Sequence, residues 1–225
     1  MKEVKGGFVM KAFPFPDQHE SLEELKRDIL YDKIPASDIQ KICTKAWYTG
    51  TAAAENILKK HGTKSIKDII SLSALELEWS SKDNIAGNVR YFSEYYSGRN
   101  KIIIYEKSVR LWAKENKFTE KEAIDLILAH EYYHFLECTG LGLTSKQYLV
   151  PILKLGNLVI FKSGIRALSE IGAHGFSRRF FELTAGLPKE KENGMRFMNY
   201  ASNLIEFEGK NIADKIYLNK LLKVK

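Results

Sequence analysis

The chain has 225 residues, enough for one substantial domain with a helical annex, and 44% of them are hydrophobic, which excludes an intrinsically disordered protein. The formal charge is 35 − 28 = +7, but Lys and Arg are spread along the chain, gathering only modestly at Lys215, Lys220, Lys223 and Lys225, so no nucleic-acid-binding face is indicated. The two cysteines, Cys43 and Cys138, lack C-x-x-C spacing, which excludes a thiolate zinc site or a redox pair and reads as two reduced thiols in a cytoplasmic protein.

Met1 to Phe15 has no uninterrupted apolar core of a secretory leader. Leu22, Leu25, Ile29 and Leu30 recur at helical spacing after Ser21, a candidate N-cap with Glu24 as its partner. Beyond Pro35 a second helix is expected from about Ser37 or Asp38 to Lys60, with Gly62 at its stop, and a short one from Ile66 to Ser71. Leu75 to Trp79 reads as a strand. Val89 to Tyr96 and Lys101 to Tyr105 read as a β-hairpin around the loop Ser97-Gly98-Arg99-Asn100. Val109 to Glu115 is a short helix. Thr119 with Glu122 forms a capping box opening a longer helix, which Gly140 and Gly142 end. Leu149 to Phe161 is apolar but interrupted by Pro151, Lys154, Gly156 and Asn157; it falls short of the ~20 residues of a membrane span and reads as buried or pocket-lining. A helix from about Gly164 to Thr184 stops at Gly186 and Pro188, and the remainder reads as amphipathic helix. The expected fold class is α+β, mostly helical with a small antiparallel sheet. The expected parts are a helical segment over 1–72, a core over 73–187 and a helical tail over 188–225.

The chemistry is concentrated in His130-Glu131-Tyr132-Tyr133-His134. Residues at i and i+4 share one helix face, so both imidazoles can reach the same ion, while Glu131 points beside it. A carboxylate there can take a proton from an activated water and pass it to a leaving amine. The capped helix and the apolar flanks Ile127, Leu128, Ala129, Phe135 and Leu136 set the motif apart from a chance match, because histidines in such surroundings need partners. His19 and His61, in polar surroundings, read as surface residues, and Cys138, one turn past His134, as a packed core thiol.

A zinc site needs a further protein ligand. The extended form H-E-x-x-H-x-x-G-x-x-H fails, because its Gly and last His positions hold Glu137 and Gly140. The following helix offers Glu170 and His174, also at i and i+4, among the small residues Gly172, Ala173 and Gly175, which let helices approach closely. Glu170 as ligand gives a His-His-Glu set, leaving His174 to stabilise an oxyanion or to orient Glu170. His174 as ligand gives three histidines, and both together give a closed site. Tyr148 is a candidate oxyanion donor, whereas Tyr132 and Tyr133 read as packing residues.

The segment Ile127 to His134, followed by Glu170-x-x-Ala173-x-x-Phe176, resembles the zincin superfamily of metallopeptidases, and within its gluzincin branch the ImmA/IrrE-type peptidases. The resemblance covers roughly Ile102 to Phe176. It implies one zinc per chain on His130, His134 and Glu170, Glu131 as general base, a sheet beside the motif helix, and an edge strand, Lys101 to Tyr105, that pairs with an extended peptide or protein substrate. The readings that follow are a zinc-dependent endopeptidase, a catalytically silent zinc-bearing regulatory module with a closed site, and a helical protein with an accidental motif.

Overall fold

The computed structural model describes residues 13–62, 65–86 and 89–187, so the expected tail over 188–225 and most of Met1 to Phe15 lie outside the described residues. Helix α1 (Ser21–Lys26) leads through a 3-10 turn to the long helix α2 (Ala36–His61). Gly62 ends α2 in the left-handed region (φ 60°), its N–H donating back to the Leu58 carbonyl. Helix α3 (Ile66–Ser71) is capped by the Ser65 hydroxyl.

The strands follow as β1 (Glu76–Ser80), β2 (Ile85–Ala86), β3 (Val89–Arg90), β4 (Ser93–Tyr96) and β5 (Lys101–Tyr105). β4 and β5 form the expected hairpin, with Tyr96 opposite Lys101 and residues 97–100 as its loop. Val89 and Arg90 leave this hairpin and pair instead with β2. β1 lies parallel to β5 on its other side, Trp79 opposite Ile104. The sheet order is therefore β1-β5-β4, and the α+β class holds with a mixed rather than a wholly antiparallel sheet. β5 is central: Ile102 and Ile104 are fully buried and both its backbone edges are paired, so it cannot add a substrate strand as expected. β4 is an edge strand and packs on the motif helix.

Helix α4 (Glu106–Glu115) returns the chain to α5 (Glu120–Leu136), where Thr119 and Glu122 make both bonds of the capping box. α5 runs out into a π-helical turn, Glu137–Leu141. The segment Leu149 to Phe161, expected to be buried or pocket-lining, is instead an exposed antiparallel hairpin, β6 (Leu149–Leu155) and β7 (Leu158–Gly164), which among the described residues joins neither other sheet. Its interrupters explain this: Gly156, at φ 56°, and Asn157 make the turn, and Pro151 sits beside a β-bulge.

Helix α6 (Ala167–Thr184) lies between α2 and α5. Gly50 of α2 and Gly172 and Gly175 of α6 make that approach possible. A Cβ on Gly50 would stand 1.9 Å from the Gly172 carbonyl oxygen, and one on Gly175 would stand 2.4 Å from the Trp47 carbonyl oxygen. One buried cluster joins α3, β5, α5 and the lower part of α6, with Tyr132, Tyr133, Phe176 and Phe180 at its centre. A second joins α1, α2 and the start of α6 around Trp47. Among the described residues no helix is long and apolar enough to cross a membrane.

Candidate metal centre

α5 presents His130 and His134 on one face, and the glycine-mediated seat of α6 against α2 turns Glu170 and His174 toward them. His130 Nε2 lies 3.2 Å from Glu170 Oε2 and 3.2 Å from His134 Nε2, and His134 Nε2 is 3.6 Å from Glu170 Oε1. His130, Glu170 and His174 each offer a ligand atom, all within 4.8 Å of one another. The group is therefore able to hold a metal ion; it includes His174 of α6 but not His134, whose Nε2 approaches only His130 and Glu170. Phe15 covers the cluster, stacked on His174 at 5.3 Å and tilted on His130 at 5.4 Å between ring centroids.

Glu137, the residue that breaks the extended motif, organises the other side. It is 4% exposed and its carboxylate accepts three hydrogen bonds: His134 Nδ1 at 2.9 Å, Thr144 N at 2.7 Å and Ser169 Oγ at 2.8 Å. Burial acts to raise its pKa, but the bonds from His134 and Thr144 outweigh that and hold the carboxyl below its ordinary value. A charged carboxylate only accepts, so Nδ1 of His134 carries the hydrogen and Nε2 is the atom left to face the cluster. Glu137 is still in helical conformation (φ −55°, ψ −40°) three residues after His134, so helix geometry itself brings its side chain beneath that imidazole. A sequence signal existed: a carboxylate three residues after the second histidine of the motif.

Electrostatics within the cluster follow from close packing of opposite charges. For His134, burial favours the neutral form, but the Glu137 bond and the charges of Glu170, Glu131 and Glu137 prevail and push its pKa up to about 9. For Glu170, burial works against the charged form, and the bond from His130 with the charges of the three histidines overcomes it, holding the carboxylate well below the usual range. His174 is lowered to about 3, first by burial and then by His130. The donor set suits a metal ion: two imidazole nitrogens converge at 3.2 Å beside a carboxylate, an arrangement in which a cation would take the place of the proton the two rings share.

Glu131 is 8% exposed and accepts a hydrogen bond from the Ser93 hydroxyl of edge strand β4 at 2.5 Å. It does not join the cluster of ligand atoms. A cleft of about 310 Å³ opens beside the site, lined among others by Tyr95 of β4, His134, Glu137, Arg166 and Glu170. Tyr148 is not there: its hydroxyl donates to Asp38 Oδ2 at 2.6 Å, at the start of α2, which ties down the segment after the π-turn. Cys138 is exposed and lines the cleft rather than packing in the core, because the π-turn rotates it outward. Tyr132 and Tyr133 are buried as expected, with hydroxyls on Ser73 and Thr144.

No protein-family model, curated protein or solved structure matches the chain.

Proposed function

We propose that the protein is a zinc-dependent peptidase, with His130, His134 and Glu170 holding the ion and Glu131 acting as general base. The observation that carries this reading is the convergence of the two motif imidazoles and Glu170 within 3.6 Å, with Glu137 fixing His134 from behind. Zinc, when bound, supplies a Lewis acid for the scissile carbonyl and acidifies water. Glu131, next to the ligands but not among them, is the group that accepts the water's proton and returns it to the leaving amine. Ser93 holds its carboxylate in place from β4. Among the described residues β4 has one strand edge without a partner, the natural rail for an extended peptide, and its Tyr95 lines the cleft over which that peptide would lie.

A second reading rests on the place of His174 within the 4.8 Å group. That group is His130, Glu170 and His174; with His134, whose Nε2 is 3.2 Å from His130 Nε2, as a further donor the ion would have four protein ligands and no open position, which would make the site structural and the protein a binding or regulatory module.

Elemental analysis of protein purified without chelator, followed by peptide cleavage with Glu131→Gln, tests both. About one zinc per chain with cleavage lost in the variant supports the peptidase. Zinc held without cleavage by the parent protein favours the closed site, and absence of bound or restorable zinc removes both.

A further inference from the structure

The cleft beside the metal-ligating group has an unmet positive charge. From Cys138 through Ser169 the chain has no Asp or Glu, and this stretch supplies Cys138, Leu143, Ser145, Arg166 and Ser169 to the cleft wall. Glu137 and Glu170 line the cleft too, but both carboxylates are engaged. Glu137 accepts from His134, Thr144 and Ser169, and Glu170 lies against His130 and His134. Arg166 is the one Arg or Lys among the described lining residues. It is exposed, and among the described residues it makes no hydrogen bond or ion pair. Asp28 reaches this end of α6, but its carboxylate accepts from the Ala167 and Leu30 N–H groups rather than from the guanidinium.

Helix geometry fixes where this charge stands. Arg166 is the N-cap of α6, itself in helical conformation (φ −63°, ψ −39°), and Glu170 follows four positions later. Residues at i and i+4 share one helix face, with Cβ atoms ~6 Å apart. Arg166, Glu170 and His174 therefore form one row along α6. An extended peptide advances ~3.4 Å per residue, so the root of the Arg166 side chain stands about two peptide residues from that of Glu170. Tyr95 of β4 lines the same cleft, so a peptide held along the β4 edge passes between that strand and Arg166.

We propose that Arg166 makes this cleft select peptides that carry a carboxylate, either an Asp or Glu side chain or the C-terminal carboxylate. The planar fork of guanidinium N–H donors matches the two oxygens of a carboxylate, a bidentate pairing that Lys does not reproduce. One guanidinium without a helping cation balances one negative charge. A phosphate brings nearly two and would leave the excess beside Glu137 and Glu170. On the peptidase reading, on which this part of the inference rests, the selected carboxylate lies within about two residues of the scissile bond.

The test measures binding apart from cleavage. Peptides with a neutral fluorophore are titrated with the metal-free full chain and followed by anisotropy. One has an internal Glu and an amidated C-terminus, the second has Gln in its place, and the third is the Gln peptide with a free C-terminus. The Glu is placed in turn at each central position. At least one carboxylate peptide should bind about tenfold or more tightly than the amidated Gln peptide, and which one does so identifies the source of the carboxylate. Arg166→Gln should bring the difference within about twofold, Arg166→Lys should restore only part of it, and Arg166→Glu should turn the preference toward a Lys peptide. The exposed position makes these variants compatible with folding, which thermal unfolding checks. Equal binding of charged and neutral peptides overturns the inference, and so does no binding of any of them. A preference that Arg166→Gln leaves intact also overturns it and assigns the effect to the histidines of the ligand group. Cleavage of the same peptides by the zinc-loaded chain separates the two readings. Cleavage without a carboxylate preference removes the inference and leaves the peptidase. An Arg166-dependent preference in binding without cleavage leaves carboxylate recognition standing and removes the peptidase.

Discussion

Replacing Glu137 by Gln should weaken zinc binding by about 10- to 100-fold while leaving the fold in place. The carboxylate accepts from His134 Nδ1 at Oε2 and from Thr144 N and Ser169 Oγ at Oε1. Gln has a single acceptor oxygen. If that oxygen keeps Thr144 and Ser169, the amide NH2 faces the Nδ1–H of His134, donor against donor. The imidazole must then move its hydrogen to Nε2 or turn its ring, and either change takes the Nε2 lone pair from the site. The bond lost is charge-assisted and worth about 1.5–3 kcal/mol. At about 1.4 kcal/mol per decade, that is about 10- to 100-fold in affinity. The assay is competition for zinc against a chromophoric chelator, with thermal unfolding of the metal-free proteins alongside. Ser169→Ala is the control, because it removes a bond to the other carboxylate oxygen and should leave zinc affinity within a few-fold of the parent. If Glu137→Gln unfolds like the parent and holds zinc within about twofold of it, the orienting role assigned to Glu137 is wrong.

Glu131→Gln should retain zinc and lose peptide hydrolysis by at least ~100-fold, read by chelator competition and peptide cleavage together; hydrolysis that survives the change excludes Glu131 as the base. In the metal-free protein His134 is pushed up to about 9, so below that pH it holds a proton that the ion must displace, and apparent zinc affinity should climb about tenfold per pH unit between about pH 6 and 8 for each proton released. A flat profile in the same titration would remove His134 from the ligands. Gly50→Ala should destabilise by about 3 kcal/mol or more in denaturant unfolding, since its methyl would meet the Gly172 carbonyl oxygen at 1.9 Å and the Phe176 nitrogen at 2.7 Å, both backbone atoms that cannot rotate away. A variant as stable as the parent would mean that α2 and α6 lie farther apart. Tyr148→Phe should cost about 1 kcal/mol through its lost bond to Asp38 and leave cleavage unchanged; a collapse of cleavage without loss of stability would return Tyr148 to the site.

What the sequence reveals here is what one helix can specify alone. The capping box at Thr119 and the facing of His130 and His134 depend on residues within a few positions of each other, and helix geometry converts their spacing directly into space. Glu170 and His174 are legible as a pair for the same reason. Which of them approaches the motif is not, because that depends on how α6 is rotated against two other helices. The misreadings share this cause. The edge position of Lys101 to Tyr105 is only what the resemblance implies; the hairpin signal reports its antiparallel partner β4, while its parallel partner β1, some twenty residues away, leaves no local mark. Leu149 to Phe161 looked buried because hydropathy records what a side chain prefers, not what it finds, and the Gly156-Asn157 turn, which divides the run into two short strands, was the better guide. Glu137 is legible in part, since its i,i+3 spacing from His134 is helical, but its bonds from the Thr144 N–H and the Ser169 hydroxyl depend on how the chain returns after α5, which no periodicity encodes. The least legible residue is the one on which the site's geometry depends most. Gly50 belongs to a helix with no chemical motif, yet its missing side chain lets α6 lie close enough to α2 for Glu170 and His174 to face α5. Glu170 and His174 are therefore positioned by contacts more than a hundred residues away in the chain, and a sequence motif, however specific, reports only the half of this candidate centre that α5 supplies.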